Sequence, residues 1–302
     1  MNLGKLPTAM ITPFTRELTI DYTELPRLID HLLSTGTTAI VVNGTTAESP
    51  TLSGEEKIEL IGATVQHVAG RVPVIAGTGS NNTQQSIDFT RAVEQVGVDG
   101  SMLVAPYYNK PNQRSMVAHF TAIADVATKP IMLYNIPGRS VVNMDTETTV
   151  TLSQHPHILW MKEASGNLNQ ISEVMRKSAS SLQVYSGDDG LTLPLLSIGS
   201  SGTVSVAAHV VGPEMTLMIE KFEQGNVQEA AHMHQLLLPV FEALFTSPNP
   251  TVVKYALSKV ASFHDAVRLP LLSLSEDEKK QFDSIWDDFK DQWNNLVENA
   301  KG

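Results

Sequence analysis

The chain has 302 residues, 42% hydrophobic and 18% charged, a length that fits either one large α/β barrel with an appendage or two ordinary domains. It has no cysteine, which excludes disulfides, zinc ribbons, iron–sulfur clusters and thiol nucleophiles, and a net charge of −11 argues against a nucleic-acid partner. No apolar run reaches the roughly 18 residues needed to span a bilayer, and the first residues lack a signal-peptide core and cleavage site, so the expectation is a cytoplasmic protein with no membrane partner.

From residue 4 to about 222, short β-branched or apolar runs alternate with longer segments of helical period. The runs at 6–12, 39–43, 74–77, 100–105, 131–135, 158–163, 183–187 and 202–206 predict strands. Helices are predicted between them at 22–34, 54–69, 83–96, 113–127, 145–153, 168–178, 189–198 and 213–223. Ser53 with Glu56 has capping-box spacing, and Gly36, Gly70 and Gly97 each stand just past a helix end. Eight βα units in series predict a (β/α)8 TIM barrel over residues 1–224. Only helical periodicity follows, at 227–245, 252–262 and 276–298, so residues 225–302 form a C-terminal helical appendage that is expected not to carry the chemistry.

A barrel of this kind places its active site at the C-terminal ends of the strands. The anomaly there is Lys162, inside the apolar run L-W-M-K-E-A-S-G. An ammonium in a packed sheet is costly unless paired or discharged, so Lys162 either snorkels or pairs with Glu163, or else burial keeps its amine neutral for Schiff-base chemistry. Tyr134 ends the strand beside it, where a phenol could relay a proton. Arg139 follows I-P-G in a loop over the barrel mouth, a place suited to binding a carboxylate. Thr45 and Thr46, after Gly44, read as turn hydroxyls, Tyr107 and Tyr108 as half-buried contact residues, and Asn109 and Asn135 as turn residues. Asp188 and Asp189 at a helix start read as caps. His232 and His234, two apart on a helix, face different ways, and no metal-ligand spacing appears.

The motifs G-T-T-A-E-S-P-T-L-S, V-I-A-G-T-G-S-N-N-T, V-A-P-Y-Y-N-K-P, L-Y-N-I-P-G-R, K-E-A-S-G and Y-S-G-D-D together resemble the dihydrodipicolinate synthase branch of the N-acetylneuraminate lyase superfamily, class I pyruvate-dependent aldolases. The resemblance runs nearly end to end. It implies Lys162 as the Schiff-base former with pyruvate and Tyr134 as its acid/base, with Thr45 linking Tyr134 to a Tyr108 that reaches in from a neighbouring subunit. Thr46 is implied as a ligand of the pyruvate carboxylate, Arg139 as receiver of the second substrate's carboxylate, and Gly187 and Val204 as lining of the pyruvate pocket. The implied partners are pyruvate and L-aspartate 4-semialdehyde, the product is 4-hydroxy-tetrahydrodipicolinate on the route to diaminopimelate and lysine, and the assembly is a homotetramer built as a dimer of dimers. No cofactor or metal is implied beyond the covalent substrate on Lys162.

Arg139 and the Thr45–Thr46 pair favour this branch over the sialic-acid lyases, while a 2-keto-3-deoxy sugar-acid aldolase or a related Schiff-base dehydratase is the runner-up. In lysine-inhibited members an allosteric pocket lies at the subunit interface. Asn81 and Tyr107 match its carboxylate-binding end. Gly54 and Lys57 stand where sensitive enzymes carry His, and Gln85 where they carry Glu. Lys57 would repel the ligand's ammonium and Gln85 offers it no charge, so inhibition by lysine is expected to be weak or absent.

Overall fold

The apolar runs become a closed parallel barrel. In the computed structural model, which describes residues 1–299, the strands are β1 (Pro7–Ala9), β2 (Ala39–Val42), β3 (Val74–Gly77), β4 (Gly100–Val104), β5 (Ile131–Asn135), β6 (Ile158–Glu163), β7 (Gln183–Ser186) and β8 (Gly202–Thr203). They pair in chain order, all parallel. The ring closes through a parallel bridge between Thr8 and Ser205, with backbone hydrogen bonds from Ala9 N to Ser205 O (2.8 Å) and from Thr203 N to Lys5 O (2.9 Å). Gly202 permits this approach, since a Cβ there would lie 2.3 Å from the Lys5 carbonyl oxygen.

Strand side chains alternate between two apolar environments. Val41, Ile75, Met102, Met132, Trp160 and Tyr185 fill the barrel interior. Their neighbours Val42, Val74, Leu103, Leu133 and Met161 pack outward under the helices. The outer ring comprises α1 (Leu25–Ser34), α2 (Gly54–Val68), α3 (Thr83–Val96), α4 (Gln113–Ala124), the single turn α5 (Pro137–Ser140), α6 (Thr146–Ser153), α7 (Leu168–Lys177), α8 (Thr192–Ser197) and α9 (Ala208–Glu223). The Ser53/Glu56 capping box forms at the start of α2, and Gly36, Gly70 and Gly97 all take positive φ after α1, α2 and α3.

Helices α10 (Val227–Ala243), α11 (Thr251–Ala261) and α12 (Glu276–Asn299) follow. On α12, Phe282, Trp286, Phe289 and Trp293 recur at helical spacing and form a buried aromatic ladder, and the helix packs against α10. Residues 300–302, the end of the expected appendage, lie outside the described residues. Among the described residues no helix is long and apolar enough to cross a membrane.

The structure departs from the expected elements in a few places. The segment 189–198 is a 3-10 turn (Asp189–Leu191) followed by α8, and a second 3-10 turn (Ser49–Thr51) and α5 interrupt loops expected to be irregular. Helix α9 begins at Ala208, before the expected 213, and is kinked at Val211. Pro213 has no N–H for the His209 carbonyl four residues back, and that oxygen instead bonds His31 Nε2 at 2.9 Å.

Candidate active site

Two features of the sheet aim Lys162 and Tyr134 at the same space. Lys162 is two residues beyond the inward-facing Trp160, and Tyr134 two beyond the inward-facing Met132, so both point into the barrel. A bulge supplies the register: Ile131 pairs with Ile158 but Met132 with Trp160, after which Tyr134 lies opposite Lys162. The same alternation turns Glu163 outward. Its carboxylate accepts from Asn135 Nδ2 (3.1 and 3.3 Å) and Ser165 N (2.6 Å), so the pairing of Lys162 with Glu163 does not form, and Asn135 is a buried strand residue, not a turn residue.

Lys162 is 5% exposed. Among the described residues its Nζ makes no hydrogen bond or ion pair, and it stands 4.3 Å from the centroid of the Tyr134 ring. Burial depresses its amine to about 8; the negative charge of Asp189 opposes that fall and the Arg139 guanidinium adds to it. Burial pushes the Tyr134 phenol well above its ordinary value, so it is a protonated acid at neutral pH. Gly187 makes room for the lysine: a Cβ there would sit 3.0 Å from Lys162 Cε and 2.9 Å from Ala164 Cβ.

A tight cavity of about 40 Å³ brings together Thr45, Thr46, Tyr134, Arg139, Lys162 and Gly187. Two larger hollows share wall residues with it, one of about 220 Å³ bordered by Asn43, Tyr107 and Arg139 and one of about 770 Å³ bordered by Arg139, Asp188 and Glu242. Of the two residues implied as pocket lining, Gly187 borders the cavity and Val204 does not. Val204 belongs to the packed barrel interior, and Val206 borders the cavity in its place. Tyr108 is 87% exposed, with φ +74°, and among the described residues no hydrogen bond joins Thr45 to Tyr134 or Tyr108. A further cavity of about 200 Å³, which shares Asn43 and Tyr107 with the 220 Å³ hollow, is lined also by Gly54, Lys57 and Gln85, while Asn81 donates from Nδ2 to the Tyr107 carbonyl at 3.1 Å.

Several contributors had no local signal. Asp188 caps Gly190 N at 2.9 Å as expected, but Asp189 is buried and accepts from Val206 N (3.1 Å) and Ala207 N (2.9 Å), fastening the exit of β7 to that of β8. The appendage, expected to stand apart from the chemistry, places Phe245 and Asn249 on the Lys162 cavity. It also anchors the Thr45–Thr46 loop. Lys254, fully buried on α11, donates to Glu48 Oε1 at 2.6 Å, and Arg268 N donates to Glu48 Oε2 at 2.9 Å.

A model of the dihydrodipicolinate synthetase family matches residues 2–288. The chain is similar to the 4-hydroxy-tetrahydrodipicolinate synthase of Bacillus velezensis, 52% identical over 285 residues that make up 94% of this chain and 99% of that protein. It is similar also to that of Bacillus subtilis, 51% identical over 285 residues, 94% and 98% of the two chains. Among solved structures, dihydrodipicolinate synthase from Bacillus anthracis matches with a TM-score of 0.93 and 50% identity over 94% of this chain and 98% of that one. DHDPS from Cyanidioschyzon merolae, solved with lysine bound, matches with a TM-score of 0.91 and 44% identity over 94% and 97%. The chain belongs to the dihydrodipicolinate synthetase family.

Proposed function

We propose that the chain is a lyase that condenses pyruvate, held as a Schiff base on Lys162, with L-aspartate 4-semialdehyde to give 4-hydroxy-tetrahydrodipicolinate and one water. The observation that carries this reading is the buried Lys162 beside the Tyr134 phenol, its Nζ without a hydrogen-bond or ion-pair partner among the described residues. With its amine depressed to about 8, about one molecule in ten holds Lys162 neutral at pH 7, against roughly one in three thousand for an ordinary lysine. The neutral amine adds to the pyruvate carbonyl and water leaves, giving an iminium that acts as an electron sink. Loss of a methyl proton gives the enamine, whose carbon attacks the aldehyde. Tyr134, in contact with Lys162 and protonated, donates and recovers protons in these steps. The substrate's own amine then adds to the iminium carbon and expels Lys162, closing the ring with no further loss of water.

Thr46, which borders the cavity, is assigned to the pyruvate carboxylate, and Arg139, which borders the tight cavity and both larger hollows, to the carboxylate of the aldehyde substrate. Gly187 shapes the pocket beside the lysine's Cε, and Val206 lines it where the resemblance implied Val204. Thr45 relays protons between Tyr134 and a Tyr108 supplied by a neighbouring subunit, a role consistent with the exposure of Tyr108 in the single chain. The working assembly is accordingly a homotetramer, a dimer of dimers, acting in the cytoplasm without metal or cofactor. Residues 1–224 are the catalytic barrel and 225–302 a helical unit that braces it. The cavity around Gly54, Lys57, Gln85 and Tyr107, with Asn81 beside it, is a degenerate lysine site, its Lys57 ammonium opposing a cationic ligand.

The test is reductive trapping. Incubation with pyruvate and borohydride, digestion and mass spectrometry should place the reduced adduct on Lys162, and turnover should then require L-aspartate 4-semialdehyde. An untouched Lys162 in folded protein refutes the mechanism. An adduct without turnover of that aldehyde refutes the substrate.

A further inference from the structure

Asn249 lies on the segment between α10 and α11, in sequence 203 positions from the loop it touches, yet its Nδ2 donates to Thr46 Oγ1 at 2.9 Å. Both residues are buried, 7% and 3% exposed, and both border the cavity that holds Lys162. A threonine hydroxyl has one proton to give and can accept through its lone pairs. Here it accepts from Asn249, and among the described residues it donates to no protein acceptor. Its proton is therefore unspent, on a residue that borders the same cavity as the lysine that would carry the substrate. The Thr45 and Thr46 backbone N–H groups likewise donate to no acceptor among the described residues, because the turn around them is closed by Ala47 N and Ser49 N to the Gly44 carbonyl and by Glu48 N to that of Thr45. Among the described residues the Oδ1 of Asn249 is buried without a partner, so its side-chain amide is tied to the protein through Nδ2 alone.

We infer that Asn249 is a positioning residue for the carboxylate of the keto acid: by donating to Thr46 Oγ1 it fixes the threonine hydroxyl as a donor toward the ligand. Without that contact the hydroxyl is free to rotate. With an acceptor in place of the amide N–H, the hydroxyl would turn its proton toward residue 249 and present lone pairs to an anion. The inference rests on the assignment of Thr46 to the pyruvate carboxylate.

The experiment measures the pyruvate concentration that half-saturates borohydride trapping of Lys162, together with kcat and both KM values, in N249A, N249D, T46V and the T46V/N249A double variant. A hydrogen bond to a charged group supports an expected rise of about tenfold for N249A and T46V. N249D, isosteric with the native residue, should raise it further, about a hundredfold, since it both reverses the hydrogen bond and brings a like charge to the carboxylate. The aldehyde KM should stay within about twofold, and the double variant should be no worse than T46V alone, because the two residues act through one hydroxyl. Trapping of N249D at native pyruvate concentrations would overturn the inference, as would a double variant showing the product of the two single effects, or an equal rise in both KM values. If T46V itself traps like the native protein, the assignment of Thr46 fails. If T46V is impaired and N249A and N249D are not, only the role of Asn249 fails.

Discussion

Lys162→Met should stabilise the protein at neutral pH while abolishing trapping. A lysine amine has an ordinary value of 10.5, and burial brings this one to about 8. Between those two values the unfolded chain binds a proton that the folded chain does not, so the contribution of Lys162 to stability rises with pH through that window. Below pH 8 both states are protonated and the fold carries the full cost of a buried ammonium. A difference of about 2.5 units at roughly 1.36 kcal/mol each is about 3 kcal/mol, a figure that already contains whatever the Tyr134 ring returns to the ammonium. Methionine leaves the apolar stem in place and removes the charge, so its gain at pH 7 is about 3 kcal/mol. At about 2.1 cal/mol/K of unfolding entropy per residue, a chain of 302 residues shifts by about 5 °C in Tm. By pH 9.5 the same arithmetic leaves less than half of the cost, and the advantage should shrink accordingly. Thermal unfolding of both proteins at pH 7 and 9.5 reads this directly. A methionine variant less stable than the native protein at pH 7, or a gain that does not change with pH, would refute a neutral amine held by desolvation.

Lys254→Met should cost about 3–5 kcal/mol, since it strands the Glu48 carboxylate in the interior; in thermal unfolding E48Q/K254M should recover much of the loss, and a native Tm for K254M would count against the anchoring. Gly187→Ala should lower the Tm by a few degrees, because the new Cβ meets Ala164 Cβ at 2.9 Å, and should lower kcat/KM by about 10–100-fold by displacing the lysine, whose Cε would lie 3.0 Å away; unimpaired kinetics would contradict that packing. Arg139→Met should move the pH midpoint of Lys162 trapping upward, because the guanidinium helps to depress the amine, and a downward move would reverse the assigned electrostatics. L-Lysine at about 1 mM should leave turnover unchanged, and half-inhibition below that concentration would show that Lys57 and Gln85 still permit a working site.

Most of the architecture was legible because period-2 and period-3.6 patterns report which face of an element is buried. All eight strands fall within the expected runs, and strand order in a (β/α)8 barrel follows chain order, which is why Tyr134 could be placed beside Lys162 from sequence alone. The misses have the opposite character. Asp189 looks like a local cap and instead holds Val206 and Ala207. The kink in α9 depends on which acceptor remains free after Pro213, and Asn249 reads as a loop residue in S-P-N-P. In each case the deciding partner belongs to another element, and periodicity is silent about partners.

The two buried lysines make the distinction concrete. Lys254 sits in T-V-V-K-Y-A-L on the apolar face of α11, between Val252, Val253, Ala256 and Leu257, all buried. That is the same anomaly that singles out Lys162 in its strand. Both amines are depressed to about 8, chiefly by burial, so titration alone does not tell them apart. What separates them is what their donors meet. Lys254 gives hydrogen bonds to Glu48 Oε1 at 2.6 Å and the Ala266 carbonyl at 2.8 Å, and its remaining face lies over the Phe14 ring. Such an amine is committed to its partners and has no room for a carbonyl carbon. Lys162 has a phenol ring, a small cavity and a glycine that leaves space at its Cε. One lysine fixes the loop that carries Thr45 and Thr46, while the other has no hydrogen-bond or ion-pair partner among the described residues, only the field of Asp189, which does not offset its burial, and is left to discharge or react.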